Sequence, residues 1–413
     1  MNLLDVVYVV VGGVTAPWWA RKQRCDWGER FGKIGAVGDR AGMKRVLIHA
    51  VSVGEVNALR EMIPLLVRRV HVILSVGTDT GIKRARELFG HSCDVVRYPL
   101  DASWAVRRFL DRTRPDAVAL VELELWPNFV RACRKRGIPV CIINGRLSER
   151  SFNGYRKLRW ALKGVFGSLA FAAVQDEAYA VRFRAMGVPP DKVMVTGSMK
   201  WDAARIEDQV AGADSLAADL GIARGAGSPP LIVAGSTGPE EESLLVAAVE
   251  ATEREIGPLQ LLCAPRKPER FDEAAAAMPG CVRRSEGRTG SATRRFLLDT
   301  IGELRKAYAL ADVVVVGRSF GDLFGSDPIE PIALGKPTII GPAVKDFATI
   351  VEVFERGGGI VRSTRESLGA DLKGLLMDEG RRKCVAEAGR ECIRREQGAS
   401  QKHAERVLGL THA

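Results

Sequence analysis

Apolar runs alternate with amphipathic segments along most of this chain, and that alternation predicts its fold. Residues Arg45–Ala50 form a short apolar run, and Glu55–Val70 then carries apolar residues at 56, 59, 62, 63 and 66, the spacing of a helix face. Further strands are predicted at 70–75, 93–98, 117–121, 138–143 and 171–174. Because strands that alternate with helices form parallel sheets, this half is predicted to be doubly wound α/β.

The same alternation restarts in the second half. Residues 206–230 are rich in Ala, Asp and Gly and indicate a connector. Strands are then predicted at 231–235, 259–263, 280–283, 312–316 and 337–340. We therefore expect two Rossmann-like domains that face a central cleft, at 25–205 and 231–380, followed by closing helices at 381–413.

The first 24 residues differ from this pattern. Val6–Ala20 carries no charged residue, and two tryptophans near its end precede a basic cluster. The run is short for a membrane span, which needs about 20 apolar residues. Tryptophan and basic residues are typical of the membrane interface, so residues 1–24 are predicted to form a membrane anchor or interfacial helix. A buried N-terminal helix is the alternative.

Charge narrows the range of partners. The chain has 61 Lys and Arg against 50 Asp and Glu, a net charge of +11 that favours anionic partners. Because the basic residues are scattered and aromatic residues make up only 6%, nucleic acid is a weaker candidate than anionic lipid or a nucleotide-sugar. Eight cysteines without a C-x-x-C pair are interpreted as reduced thiols in the cores of a cytoplasmic protein. Five scattered histidines and no Asp-x-Asp pair argue against a metal site.

One ligand site is predicted at Val313–Pro342. Four valines indicate a strand buried on both faces, and glycines at 317, 321 and 325 allow the backbone to approach a ligand. Asp327 is suited to cap the following helix, with Pro328 at its first position. The loop amides and the helix end would favour phosphate, and Glu330 would chelate a ribose. An ordinary αβ connection is the alternative.

Glu55 and Lys200 are two further candidate site residues in the first half. Glu55 follows the predicted strand at 45–50, and Lys200 lies near the end of the first domain. Glu55 would occupy the first turn of a helix, whose dipole keeps it ionised and able to take a proton from a hydroxyl. Lys200 would reach toward the cleft. The alternatives are a first-turn glutamate that only stabilises its helix, and a surface lysine.

A second acidic group follows the strand at 117–121. Glu122 and Glu124 would share a face if that strand continues until Pro127 ends it. The alternative is a loop whose carboxylates pair with Arg131 or Arg146.

Three loops of the second half suggest a nucleotide site. The turn at 234–238, before an acidic helix start at 240–242, resembles a phosphate-facing turn. Pro265 and Arg266 follow a strand, and the arginine would bind phosphate through two parallel hydrogen bonds. The segment 299–304 is predicted to start a helix whose backbone would meet a base. An ordinary αβ connection is the alternative for each loop.

Together these loops resemble one family. The motifs HAVSVGE, ELELWPN, NGRLSERS, GSMKWD, AGSTGPEEE, PRKPERF, LLDTIGEL and DPIEPIALGKP occur in the order found in the Kdo transferases of lipopolysaccharide synthesis, where Kdo is 3-deoxy-D-manno-octulosonic acid. The similarity runs from about Trp27, in WGERFG, to the C-terminus. It implies the two-domain GT-B glycosyltransferase fold, preceded by an apolar membrane anchor.

The resemblance implies an inverting transfer of Kdo from CMP-Kdo to a lipid A precursor (lipid IVA) at the cytoplasmic face of the inner membrane. It implies no metal and no cofactor, because basic side chains and helix ends would stabilise the leaving CMP. By the family pattern Glu55 is the general base, and Glu122 and Lys200 stabilise the transition state. The residues that match the family's CMP-binding segments are Pro265, Arg266, Ile301, Gly302, Glu303, Asp327, Pro328, Ile329 and Glu330.

Some residues depart from the family pattern. Arg318 stands where the second glycine of G-G-S-F is usual, and Asp327 stands where asparagine is usual. An ionised aspartate accepts hydrogen bonds but donates none, so its contact with the donor would differ. Two alternatives therefore stay open: a GT-B enzyme with another nucleotide-sugar, and a non-enzymatic membrane protein that binds lipid or nucleotide.

Overall fold

The computed structural model describes residues 5, 6, 8, 26–38, 42–287 and 294–411. The chain divides into two compact units, Met1–Ala203 with Glu396–Ala413, and Ala204–Arg395. The membrane anchor predicted at 1–24 lies outside the described residues except for Asp5, Val6 and Tyr8. Among the helices that are described, none is both long and apolar enough to cross a membrane.

The first unit is built on a parallel sheet of seven strands. They are β1 Arg45–Ala50, β2 His71–Val76, β3 Asp94–Arg97, β4 Ala117–Val121, β5 Val140–Gly145, β6 Ala172–Val174 and β7 Val193–Val195. Their order is β3-β2-β1-β4-β5-β6-β7, which reverses between β1 and β4. Ligands of doubly wound sheets bind at the carboxyl ends of the strands beside such a reversal.

Helices cover both faces of this sheet. They are α1 Trp27–Arg30, α2 Val53–Ala58, α3 Met62–Leu66, α4 Asp79–Phe89, α5 Ser103–Thr113, α6 Pro127–Lys135, α7 Glu149–Lys157, α8 Arg159–Phe166 and α9 Glu177–Met186. Successive side chains of β1 point to opposite faces, so Val46 packs in one apolar cluster with α3, while Leu47 packs in another with α5 and α6.

The second unit repeats the design. Its strands are β8 Leu231–Thr237, β9 Gln260–Pro265, β10 Val282–Arg283, β11 Arg295–Leu297, β12 Val313–Val316, β13 Thr338–Ile340 and β14 Val361–Arg362. They form a parallel sheet in the order β10-β11-β9-β8-β12-β13-β14, which reverses between β8 and β12.

The helices of the second unit follow the same alternation. They are α10 Ala213–Leu220, α11 Glu241–Ile256, α12 Phe271–Ala276, α13 Leu304–Leu310, α14 Ile329–Ala333, α15 Ala348–Arg356, α16 Leu368–Met377 and α17 Glu379–Glu396. The C-terminal helix, α18 Ala399–Gly409, belongs to the first unit.

Both parallel sheets are confirmed, but some elements differ from the prediction. The helix expected at 55–70 is two short helices with a turn at 59–61, because Pro64 has no N–H to bond the carbonyl four residues earlier. The strands β7, β11 and β14, each two or three residues long, were not predicted. Five of the seven described cysteines are buried, but the expectation of core thiols is wrong for Cys384, which is exposed on α17.

Candidate active site

Glu55 lies in the first turn of α2, directly after β1, and is 9% exposed. Its Oε1 accepts hydrogen bonds from the Ser52 N–H (3.2 Å) and Oγ (2.8 Å), and its Oε2 accepts one from the Val51 N–H (2.8 Å). Ser52 Oγ in turn accepts from the Glu55 N–H (3.3 Å), which completes a capping box. The helix-stabilising role is therefore present. It also fixes the carboxylate at the edge of the sheet, where Oε2 retains lone-pair capacity for a proton.

Glu122 directly follows β4 in a left-handed conformation, with φ at 58°. Its N–H still donates to the carbonyl of Ile143 (3.0 Å), but the chain then turns out of the sheet. The expectation that the strand continues to Pro127 is wrong, and Pro127 instead opens α6 at its first position. Non-glycine residues adopt this conformation rarely, and they concentrate at functional sites.

The charges around Glu122 bring the predicted residues of the first unit together. Burial raises the pKa of Glu122, and the charge of Glu55 raises it further, whereas Arg146 and Lys200 act in the opposite direction. Two carboxylates and two cations therefore lie within electrostatic reach of one another at the carboxyl edge of the first sheet.

Glu124 belongs to the same site. A groove of about 360 Å³ is lined by Glu122, Glu124, Arg146 and Tyr155 among others. Burial and then the charge of Glu55 raise the pKa of Glu124 to about 7, although its Oε2 accepts a hydrogen bond from Trp126 Nε1 (3.0 Å). Near neutral pH this carboxyl group is able to give or take a proton.

The loop that carries Lys200 is braced by distant residues. The N–H of Met199 donates to Asn144 Oδ1 (3.1 Å), and the Asn144 N–H donates to Nε2 of His403 on α18 (3.3 Å). Asn144 itself is left-handed, with φ at 51°. Sequence reasoning missed this support because 259 residues separate Asn144 from His403.

In the second unit, three predicted nucleotide residues gather around Tyr308. Burial raises the pKa of Tyr308, the charges of Glu330 and Asp327 raise it further, and Arg266 lowers it. The phenol packs against β8, since a Cβ added to Gly235 would lie 2.0 Å from its oxygen. Side chains from two segments, the loop after β9 and the start of α14, thus lie within electrostatic reach of Tyr308, beside the point where the strand order reverses.

The loop before α14 differs by one residue from the prediction. Asp327 Oδ1 accepts a hydrogen bond from the Ile329 N–H (3.0 Å), but the N-cap position belongs to Pro328, so Asp327 lies one residue before the place where a cap was predicted. Pro328 is the residue before the helix rather than its first residue. Glu330 pairs with Arg305 (3.5 Å), and its side chain is 42% exposed.

In the segment 301–303, the backbone is better placed to contact a ligand than the charged side chain of Glu303. Ile301 is 72% exposed, and Gly302 is left-handed, with φ at 91°. Glu303 accepts hydrogen bonds from three neighbours, namely Thr300, Arg284 and Lys306. Burial alone would raise the pKa of Glu303, but these bonds bring it below its ordinary value. Its carboxylate is therefore already occupied.

Glu241, at the start of α11, holds two loops of the second unit together. This carboxylate is 2% exposed and accepts hydrogen bonds from the N–H groups of Gly238 (2.7 Å), Arg318 (2.6 Å), Ser319 (2.8 Å) and Phe320 (3.0 Å). The expectation that these amides face a phosphate is wrong, because the carboxylate of the helix itself satisfies them. Arg318 is left-handed, with φ at 57°, at a position where the family pattern has glycine.

Known proteins resemble this chain over nearly its whole length. Residues 25–203 match the family described as 3-Deoxy-D-manno-octulosonic-acid transferase (kdotransferase). The chain is 33% identical over 411 residues to the 3-deoxy-D-manno-octulosonic acid transferase of Bordetella pertussis, with 93% of each chain covered. It is 30% identical over 367 residues to the Haemophilus influenzae protein of the same name, with 86% of this chain and 85% of the relative covered.

Solved structures share its architecture. Anabaena HepE in complex with UDP superposes with a TM-score of 0.61 at 14% identity, covering 89% of this chain and 100% of that one. The UDP-GlcNAc 2-epimerase of Neisseria meningitidis gives a TM-score of 0.58 at 13% identity, covering 88% and 100%. At such low sequence identities the similarity supports only the fold. It confirms a GT-B-like fold with two parallel sheets.

Proposed function

This chain belongs to the 3-deoxy-D-manno-octulosonic acid (Kdo) transferase family and is an enzyme of that class, and we propose that it transfers Kdo from CMP-Kdo to a lipid A precursor with inversion at the anomeric carbon. The family assignment rests on two relatives that are at least 30% identical to this chain and are matched over 85% or more of their length. The observation that carries the proposal is the group formed by Glu55, Glu122 and Lys200 at the edge of the first sheet.

Glu55 is the proposed general base. Its Oε2 takes the proton of the acceptor hydroxyl while the hydroxyl oxygen attacks the anomeric carbon of Kdo. The bond from that carbon to the phosphate oxygen breaks, and CMP leaves with the electron pair. A single displacement inverts the anomeric centre. The capping box supports this role because it fixes the carboxylate before the acceptor arrives.

Glu122 and Lys200 are proposed to stabilise the transition state. The lysine cation, together with Arg146, offsets negative charge on the sugar carboxylate or the departing phosphate. The carboxylate of Glu122 offsets positive charge that develops on the sugar ring. In this proposal no metal or cofactor takes part, because the charges of the chain itself meet those of the reactants.

The second unit is proposed to hold the donor. Arg266 binds the phosphate of CMP through its guanidinium, and Glu330 binds the ribose hydroxyls. The backbone of Ile301–Glu303 faces the base. The walls of the proposed donor site are formed by Pro265, Asp327, Pro328 and Ile329. Support comes from the shared influence of Arg266, Asp327 and Glu330 on Tyr308.

The acceptor assigns a place in the cell. A lipid A precursor is an anionic lipid, so we propose that the enzyme works at the cytoplasmic face of the inner membrane, with residues 1–24 as its anchor. Residues 25–205 then bind the acceptor and residues 231–380 bind the donor, joined by the connector 206–230 and closed by helices at 381–413.

A transfer assay tests the proposal. Purified protein is incubated with CMP-Kdo and tetra-acylated precursor in detergent with a chelator, and the lipid is followed by mass spectrometry. We expect added Kdo, and a loss of roughly 10²- to 10⁴-fold in Glu55→Gln, which keeps the acceptor for the Ser52 N–H but removes the base. Glu87→Gln, on the exposed side of α4, is the charge-matched control.

Two results would contradict the proposal. Full transfer by Glu55→Gln removes the assigned base. A wild-type protein that binds CMP but adds no Kdo points instead to a GT-B enzyme with another donor or acceptor.

A further inference from the structure

A basic groove lies between α5 and α6, in the first unit. Its volume is about 470 Å³, and its walls include Ser103, Arg107, Asn128, Arg131 and Lys135. The α6 residues recur at intervals of three and four, so they form one stripe along the helix that faces α5. None of these residues belongs to the catalytic group described above.

Positive charge exceeds negative charge around this groove. Its basic residues are Arg107, Arg131, Arg134, Lys135 and Arg136. Arg136 pairs with Asp111 (2.8 Å). Within the ranges that the structure describes, the other four form no ion pair with an acidic side chain. Like charges around one concavity repel each other and attract an anion.

An aromatic surface adjoins the groove. Trp104, one residue after Ser103 on α5, is 40% exposed and stacks on Phe31 with 5.4 Å between ring centroids. The guanidinium of Arg108 lies 5.3 Å from the centre of the Trp104 ring. Exposed tryptophan beside arginine is the composition of the membrane interface, where the ring lies at headgroup depth.

The start of the chain is fastened at the rim of the same groove. Asp5 accepts hydrogen bonds from the Ser103 N–H (2.8 Å) and from Asn128 Nδ2 (3.2 Å). Tyr8 donates to Asp101 Oδ2 (3.1 Å), and the Asp101 carboxyl group also accepts from the Asn128 N–H (3.0 Å). These two aspartates are buried and hydrogen-bonded, and burial raises the pKa of Asp101 to about 6. Together with Asp111 they bring three carboxyl groups to a groove with five basic residues, so the groove keeps an excess of positive charge.

We propose that the groove between α5 and α6 binds the headgroup phosphates of anionic phospholipids and holds the first unit against the membrane. The inference rests on the proposed membrane location, and it is independent of the sugar donor and of Glu55. Exposed Trp104 and the attached N-terminal residues favour a bilayer over a soluble anion, because both lie beside the groove.

Vesicle binding of the full-length protein tests the proposal. Wild type and the double variant Arg107→Gln/Arg131→Gln are sedimented with vesicles of phosphatidylcholine alone and with vesicles that also contain phosphatidylglycerol. A basic residue near an anionic surface contributes about 1 kcal/mol, and 1.4 kcal/mol is tenfold. We therefore expect roughly thirtyfold weaker binding of the variant to the anionic vesicles, with no change on the neutral ones, and a difference that fades as salt rises.

The chain offers a charge-matched control. Arg68→Gln/Arg69→Gln removes the same charge from the exposed loop after α3. That helix packs in the apolar cluster on the other face of the sheet from α5 and α6. We expect this control to bind anionic vesicles as the wild type does, and all three proteins to melt at the same temperature.

The possible results distinguish a failure of this inference from a failure of the proposed function. Equal vesicle binding by groove variant and wild type, or an equal loss in the control, overturns the proposal. Loss of Kdo transfer by the groove variant with detergent-dispersed acceptor also overturns it, by assigning the groove to phosphates of the acceptor. A wild type without transfer activity that binds anionic vesicles through Arg107 and Arg131 refutes the proposed function and supports this inference.

Discussion

Removal of the Glu241 carboxylate is expected to loosen both loops that it holds in the second unit. In Glu241→Ala, the N–H groups of Gly238, Arg318, Ser319 and Phe320 lose their acceptor in a buried place. Each orphaned donor costs about 1–3 kcal/mol. The costs do not add in full because the loops relax together, so we expect a loss of about 3–5 kcal/mol in the free energy of unfolding of this unit.

Calorimetry with and without CMP measures this effect. In a domain of this size each kcal/mol shifts the melting midpoint by about 2–4 °C, so we expect the second unit to melt roughly 10 °C lower. Because two units need not unfold together, the transition of the second unit is identified by its shift on CMP addition. CMP affinity should fall by roughly ten- to hundredfold, since displacement of binding groups by about 1 Å costs that order.

The neighbouring glutamate provides the control. The side chain of Glu240 is 79% exposed and forms only a long ion pair with Arg365 (3.5 Å) among the described residues. Glu240→Ala removes the same charge, and we expect a change below about 1 kcal/mol. If Glu241→Ala melts and binds CMP as Glu240→Ala does, the carboxylate does not hold the loops and the reasoning is refuted.

Further substitutions test the strained and buried positions. Arg318→Gly should stabilise the second unit by about 1 kcal/mol in thermal melting, because glycine adopts φ of 57° without strain; destabilisation would contradict this account. Gly235→Ala should weaken CMP binding, measured by titration calorimetry, because the added Cβ displaces Tyr308. An unchanged affinity would show that the position of Tyr308 does not matter for donor binding. The pKa of Glu124 is about 7 in the folded protein against an ordinary 4.5, so the stability that its proton contributes is present below pH 4.5 and lost as pH rises through about 7. Glu124→Gln should therefore unfold like wild type near pH 4 and be up to about 3 kcal/mol more stable above pH 7, whereas a difference independent of pH would refute the raised pKa.

Local sequence was enough to predict the sheets and part of the site. Four consecutive valines at 313–316 indicate a doubly buried strand without knowledge of its neighbours, and the structure places β12 there. Ser52 and Glu55 lie three residues apart, the spacing of a capping box, so the position of the carboxylate follows from a single turn of chain. The order of the motifs likewise identified the family, because that order is a property of the sequence alone.

Only the tertiary structure decided which groups these residues meet. In the sequence, Glu241 is one of three consecutive acidic residues at a predicted helix start. In the structure, three of the amide groups that donate to it belong to Arg318–Phe320, 77 to 79 residues away along the chain. Asn144 and His403 are separated by 259 residues. The raised pKa of Glu124 and the basic groove between α5 and α6 likewise depend on burial and on neighbours from other segments. Periodicity reports which face of an element is apolar, whereas hydrogen bonds and charge depend on distances that the fold sets between segments far apart in the chain.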